Sequence, residues 1–279
     1  MKKLIGLICS VAMLFSCISF AGCGEDMLVV YTEAGFAPFE YIKDGKIVGV
    51  DVDIMNKVGE KLGKKIKFEN VKFDNIIDAV SAGKLCNVGA AGISINEERK
   101  EKVAFSNEYY TANLYVIYKV ADKTNYESKT TDDVTGVYWD SMKGNKIAVQ
   151  TGTTADLFLS DEIAEGGALY PAQGETAAAP VRFDALATAV ASVETGDSNV
   201  LIIDELPAKQ LIKDKSNLAC APLYYKGGEN ENDEAAIDTY AIAVTKGQTE
   251  ILNAINEVLE ELGSEGIQAL VNKHLGLED

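Results

Sequence analysis

Few residues in this chain are arranged for catalysis. Its one histidine, His274 in "VNKHLG", falls near the C-terminal end of a helix-like run, where a surface cation complements the helix dipole. Asp51 and Asp53 in "DVDIMN" stand two apart, without the further oxygen ligands and the glycine of a calcium loop. The sequence contains no HExxH, GxSxG or Walker-type loop, so it points to no catalytic residue, no metal and no cofactor. A different device occurs twice. "GISINEERK" (92–100) and "QTGTTADLF" (150–158) each end an extended run on small or hydroxyl residues and open a helix, leaving backbone N–H groups to face an anion. In the first, Asn96 suits an N-cap and Glu97 and Glu98 suit the opening turn, but Arg99 sets a cation against the positive end of the dipole. Two readings stand at this point. Arg99 is either an exposed residue paired with Glu97 or Glu98, or a planar fork that grips a bound carboxylate through two parallel hydrogen bonds.

The elements that would position these junctions alternate between strand and helix. "MLVVYTEAGFAPFEYI" reads as a strand, a Gly/Pro-marked loop and a second extended piece, and "KDGKIVGVDV" as a turn and a strand. Residues 53–62 carry Ile54, Val58 and Leu62 at helical spacing; "KKIKFENV" is a strand, and "NIIDAVSAG" a helix ending near Gly83. "FDNIIDAVSAGKLCNVGAAG" from Phe73 is echoed by "FDALATAVASVETGDSNVLIID" from Phe183, one βαβ-type unit in each half. Residues 121–136 form a polar surface insertion and the acidic run "GGENENDEAAID" a solvated loop. After the strand "YAIAVTKG", residues 251–262 place Ile251, Leu252, Ile255, Val258, Leu259 and Leu262 on one helical face. The pattern predicts an α/β protein with largely parallel sheets.

With 279 residues the chain has room for about two domains. Its 26 basic and 43 acidic side chains give a net charge of −17, which argues against nucleic acid or an anionic membrane surface as partner. Lys2 and Lys3 precede an apolar run from Leu4 to Ala21, the pattern of an export signal, with an uncleaved membrane anchor as the alternative. Ala21 and Gly22 before Cys23 resemble the lipobox of bacterial lipoproteins, which implies a signal peptide at 1–22 and acylation, typically with palmitate, of Cys23. Phe20 departs from the usual Leu, and "LFSC" ending at Cys17 competes. Cys9 and Cys17 leave with the signal, so Cys86 and Cys220 remain, far apart and expected as free thiols.

The order "EAGFAPFEY", "GKIVGVDVDI", "FDNIIDAVSAGK", "AGISINEERK", "FSNEYY", "VQTGTT", "IIDELPA" and "AIAVTKG" resembles the extracellular amino-acid-binding proteins of bacterial ABC importers, solute-binding protein family 3. The likeness runs from about residue 28 to 277. It implies a periplasmic binding protein type II-like α/β fold: lobe 1 at 27–111 plus 240–279, lobe 2 at 112–239, two crossover strands between them, and a ligand held in the cleft. It further implies a lipid-anchored monomer outside the cell that captures a free amino acid and delivers it to a membrane permease.

Transferred position by position, the resemblance gives Arg99 the ligand's α-carboxylate, helped by Ser94 and the free amides near Gly92, with Thr154 and its neighbour Thr153 closing from lobe 2. Asp204 takes the α-ammonium; a helix cap is its alternative role. Phe36 and Phe73 form walls for the side chain, with core packing as the alternative. Gln150 is a weaker contact, and Glu33 stands where the family often has a polar or acidic selector, which leans the ligand toward a cationic or polar side chain. Asn87, Asn199 and the pair Asn96-Glu97 depart from the family pattern, and 121–136 and 165–182 are longer than usual. Two other classes remain open. A cyclohexadienyl dehydratase-like enzyme on this scaffold would use Glu33 as its acid, and a sensing module would need a fused segment that "NKHLGLED" does not introduce.

Overall fold

The computed structural model describes residues 27–131, 134–227 and 232–277; the leader read at 1–22, with Cys17 and Cys23, lies outside the described residues. One sheet has the strand order Lys65–Asn70, Met27–Thr32, Val88–Gly89, Ala243–Val244, Ala104–Phe105. Its first three strands run parallel, with Val30 opposite both Phe68 and Val88, and Ala243–Val244 enters antiparallel from the far end of the chain. Helices α1 (Val50–Leu62), α2 (Ile76–Ala82) and α3 (Glu97–Lys102) belong to this lobe. Helix α1 starts at Val50, ahead of the predicted 53, because Gly49 turns the backbone at φ 143 directly against Phe39. A Cβ there would fall 2.0 Å from the Phe39 carbonyl oxygen, so only glycine permits this approach.

The second sheet runs Ala179–Phe183, Lys146–Gln150, Val200–Asp204, Tyr110–Lys119, Leu218–Tyr225, Val134–Tyr138, Glu127–Thr131. Helices α4 (Lys123–Tyr126), α5 (Thr154–Ile163), α6 (Leu186–Thr195) and α7 (Glu205–Leu211) surround it. Strand side chains alternate between two buried cores, as the period of two requires. Leu114, Val116 and Tyr118 join Trp139, Met142 and Leu159, whereas Tyr115 and Ile117 join Leu186, Val190 and Leu218. The insertion expected at 121–136 carries regular structure: after α4, two antiparallel strands extend the sheet, and Tyr126 is buried against Tyr118 with ring centroids 5.6 Å apart.

Two strands join the lobes. Tyr110–Lys119 leaves the first, and Ile237–Tyr240 returns antiparallel along it, with Asp238 opposite Ala112 and Tyr240 opposite Tyr110. The acidic run read as a solvated loop therefore ends in a return strand, because pairing with 110–113 satisfies its backbone. The chain finishes in α8 (Thr249–Leu275), whose Ile251, Ile255, Val258 and Leu259 share a core with Ile54, Met55 and Val58 of α1. Each such side chain contributes about 1.5–3 kcal/mol by leaving water. The helix outruns the predicted 251–262, with a kink at Gly263 (φ 58) before Ile267 and Val271 rejoin the core. His274, expected at the surface, has a side chain only 8% exposed: its Nε2 lies 3.0 Å from Asp53 Oδ2 and its Nδ1 3.2 Å from the Tyr41 hydroxyl, tying α8 to α1. Cys86 is buried and Cys220 half-buried, both free thiols.

Candidate functional site

The two strand-to-helix junctions meet face to face between the lobes. Asn96 caps α3, its Oδ1 accepting from the Arg99 amide at 2.8 Å, a bond of about 0.5–2 kcal/mol. That cap orients the first turn so that the Arg99 side chain folds inward, 6% exposed, with its guanidinium 5.5 Å from the centre of the Phe73 ring. The exposed-arginine reading is thereby excluded. Arg99 Nη1 donates to the Ser94 carbonyl at 2.6 Å and Nη2 to the Gly152 carbonyl of the other lobe at 2.9 Å. Burial lowers its pKa, with Asp238 and Glu98 acting in the opposite direction.

The opposing junction is braced from behind. Arg182 Nε pairs with Asp156 at 2.8 Å, Asp156 Oδ2 accepts from the Gly152 amide at 3.1 Å, and this turn presents the Gly152 carbonyl to Arg99. Thr153 spends its hydroxyl locally, donating to the Gln150 carbonyl at 2.8 Å and accepting from the Asp156 amide as the N-cap of α5. Thr154, the first residue of α5, instead reaches across and donates to Ser94 Oγ at 2.6 Å. One expected donor is committed elsewhere: the Gly92 amide donates to the buried Asp51 Oδ2 at 3.0 Å and is not free. Gly92 still shapes the cleft, since at φ 54 an added Cβ would lie 2.7 Å from the Phe36 ring.

Nine of the ten sequence-derived ligand residues line one cavity: Glu33, Phe36, Phe73, Gly92, Ser94, Gln150, Thr153, Thr154 and Asp204. Arg99 stands just behind its wall, on the carbonyl of Ser94. Asp204 ends its strand at the N-cap position of α7 without a cap hydrogen bond, so the capping alternative fails. Its Oδ1 is buried with no hydrogen-bond partner, and burial, reinforced by Asp238, pushes its pKa up to about 8. Phe36 packs on Phe39 and Tyr240 with centroids 5.9 and 6.1 Å away, making a wall continuous with the core.

Two acidic residues of the cavity were not read from the sequence. Glu40 is fully buried, and neither of its carboxyl oxygens meets a donor. Burial, with Asp51 and Glu33 nearby, raises its pKa well above the carboxylate range. Burial also raises Glu33, against hydrogen bonds from Gln150 and the Gly35 amide. Asp238 of the return strand accepts from Ser94 Oγ at 2.5 Å and from the Thr239 amide at 2.8 Å. Glu40 follows Phe39 in an extended piece, where a glutamate ordinarily faces water, and Asp238 closes an acidic run. Neither position carries a local signal for burial.

This arrangement is that of a two-lobed binding protein: a buried cation facing buried carboxylates, with lobes bonded to each other across the cavity. Residues 28–277 match the bacterial extracellular solute-binding proteins, family 3, and the chain belongs to that family. Its members serve as the amino-acid-binding components of ABC transporters. A putative ABC transporter arginine-binding protein 2 of Escherichia coli K12 is 26% identical, covering 98% of both chains. The L-cystine-binding protein TcyJ of the same organism is 25% identical, over 90% of this chain and 83% of its own. Among solved structures, the amino acid ABC transporter substrate-binding protein AbpA of Streptococcus pneumoniae bound to L-arginine superposes with a TM-score of 0.73, at 25% identity, covering 91% of this chain and 97% of that one. The fold is thus the type II two-lobe fold with its pair of crossover strands. Among the described residues no helix is long and apolar enough to cross a membrane.

Proposed function

We propose that this chain captures a free amino acid with a cationic side chain, arginine foremost, between its lobes and delivers it to an ABC permease. One observation carries the reading: the cavity sets buried acids at two places, Asp204 with Asp238 and Glu33 with Glu40, around one buried cation, Arg99. A dibasic amino acid brings one positive group for each of the two acidic places and one carboxylate for the cation. The arginine-binding relatives add support, while the cystine-binding one marks how widely side-chain choice varies on this scaffold. Arg99 holds the α-carboxylate with Ser94 Oγ and Thr154, Asp204 holds the α-ammonium, and Phe36 and Phe73 flank a side chain whose cation reaches Glu33 and Glu40. Gln150 positions Glu33.

Lobe 1 then comprises 27–111 and 240–279, and lobe 2 residues 112–239, boundaries that follow the two sheets. The protein acts as a monomer, without catalysis, on the outer face of the cell membrane, tethered through an acylated Cys23 after loss of residues 1–22. Calorimetric titration with a panel of free amino acids tests the ligand reading. Arginine, lysine or histidine should bind most tightly; a best response to leucine or valine would overturn it.

A further inference from the structure

Asp238 lies on the returning crossover strand, at the end of lobe 2 where the chain passes back to lobe 1, and lines the cavity. Its Oδ2 accepts the Ser94 hydroxyl, which in turn accepts the Thr154 hydroxyl from the opposite lobe. Its Oδ1 accepts the Thr239 amide. Each carboxylate oxygen can take a second donor, and Arg99, which bonds the Ser94 and Gly152 carbonyls, makes no hydrogen bond to either of them. Beside Asp238 stands Asp204 from lobe 2, whose buried Oδ1 lacks a well-formed hydrogen bond although the Tyr240 phenol interacts with its carboxylate. The two adjacent carboxylates repel each other and share a single cation, Arg99. We infer that Asp238 is a second receiving group for the ligand's α-ammonium, so that this ammonium bridges Asp204 of lobe 2 and Asp238 of the crossover strand.

Three N–H bonds of an ammonium suit this seat better than one carboxylate does. The bridging contact also places ligand capture on the strand about which the lobes are joined. It rests on the proposed binding of a cationic amino acid, and it adds a residue to that site.

The groups facing Asp238 set the accompanying pH dependence. They are Arg99 from α3, Ser94 from the loop before it, Thr154 from α5, Asp204 from the neighbouring strand and the Tyr240 phenol from its own strand. Burial raises both acids, Asp204 to about 8. Below that value the pair holds a proton that the ammonium must displace, so affinity falls as pH falls, by up to about tenfold per unit. Asp238→Asn removes the like charge and should flatten this slope between pH 6 and 8.

The test is a thermodynamic cycle by calorimetry on the purified protein, using L-arginine and 5-guanidinopentanoate, which is arginine without its α-amino group. Asp238→Asn should weaken L-arginine about 10- to 100-fold, the range for a hydrogen bond to a charged group, and leave the affinity for 5-guanidinopentanoate within about twofold. Equal losses for both ligands, or none for either, would overturn the inference. Asp204→Asn separates the two levels. If it loses L-arginine while Asp238→Asn keeps it, this inference fails and the proposed site survives. If the wild type binds neither arginine, lysine nor histidine, both fail.

Discussion

At one end of the cleft Arg99 is tied to carbonyl oxygens of both lobes, and Thr154, Ser94 and Asp238 form a chain of hydroxyls and carboxylate across the gap. At the other end Glu33 has partners in Gln150 and Gly35, but Glu40 lies fully buried with oxygens that meet no donor. The first end is held together by the protein itself. The second holds an acid whose ionisation is disfavoured by burial and by the neighbouring Asp51 and Glu33. This contrast separates two tasks. Bonds common to every α-amino acid can be preorganised between the lobes, whereas the proposed selectivity would rest on a carboxyl that is costly to ionise without a cationic side chain.

The largest effect should come from the preorganised end. Arg99→Ala should weaken L-arginine by about 1,000-fold, corresponding to the roughly 4 kcal/mol lost when one partner of a buried ionic contact is removed; near-normal affinity by calorimetry would show that the two ends are not distinct. Glu40→Gln removes the ionisable group and keeps the shape. It should cost L-arginine about 10- to 100-fold while sparing L-citrulline, its neutral analogue, and a uniform loss for both ligands would place Glu40 in the framework instead. Thr154→Val deletes the hydroxyl that crosses to Ser94. A drop of roughly 2- to 10-fold for every ligand alike is expected from one hydrogen bond, measured on the same panel.

The smallest effect concerns the ligand-free protein. Folding raises Glu40, Asp51 and Asp204, the latter two to about 6 and about 8, in each case chiefly through burial. An acid whose folded pKa exceeds its unfolded one stabilises below the unfolded value, and that contribution is lost as pH rises through the folded one. The unfolding midpoint should therefore fall from pH 5.5 to 8.5, by about 2–4 °C for each kcal/mol of stability lost, and saturating L-arginine should reverse the trend. A midpoint that rises over this range without ligand contradicts the assignment of buried acids.

The same contrast governs how much could be read from the sequence. Arg99 and Thr154 sit where a strand gives way to a helix, at junctions that small or hydroxyl residues announce locally. Asp204, Phe36 and Phe73 carried no such signal and came only from the family resemblance. Asp238 was hidden because the burial of "AAID" depends on pairing with Asn113 and Ala112, far back in the chain. Glu40 was hidden because nothing within "PFEYI" reveals that Asp51 and the cavity will enclose it. Gly92 was misjudged in one respect, since its amide is taken by Asp51 from another helix. The strands Glu127–Thr131 and Val134–Tyr138 were missed within the surface insertion read at 121–136 because Thr, Ser, Lys and Asp dominate its composition. Local patterns thus reached the groups at element ends, and missed those whose environment is assembled from distant segments.

The central claim is that a side-chain cation meets the buried acids at the far end of the cleft. Parallel calorimetric titrations of the wild-type protein with L-arginine and L-citrulline test it most directly, since the two ligands match in length and shape and differ in charge. Arginine should bind at least about 100-fold more tightly, as expected for charged hydrogen bonds in a buried site. Equal affinities, or a preference for citrulline, would contradict the account.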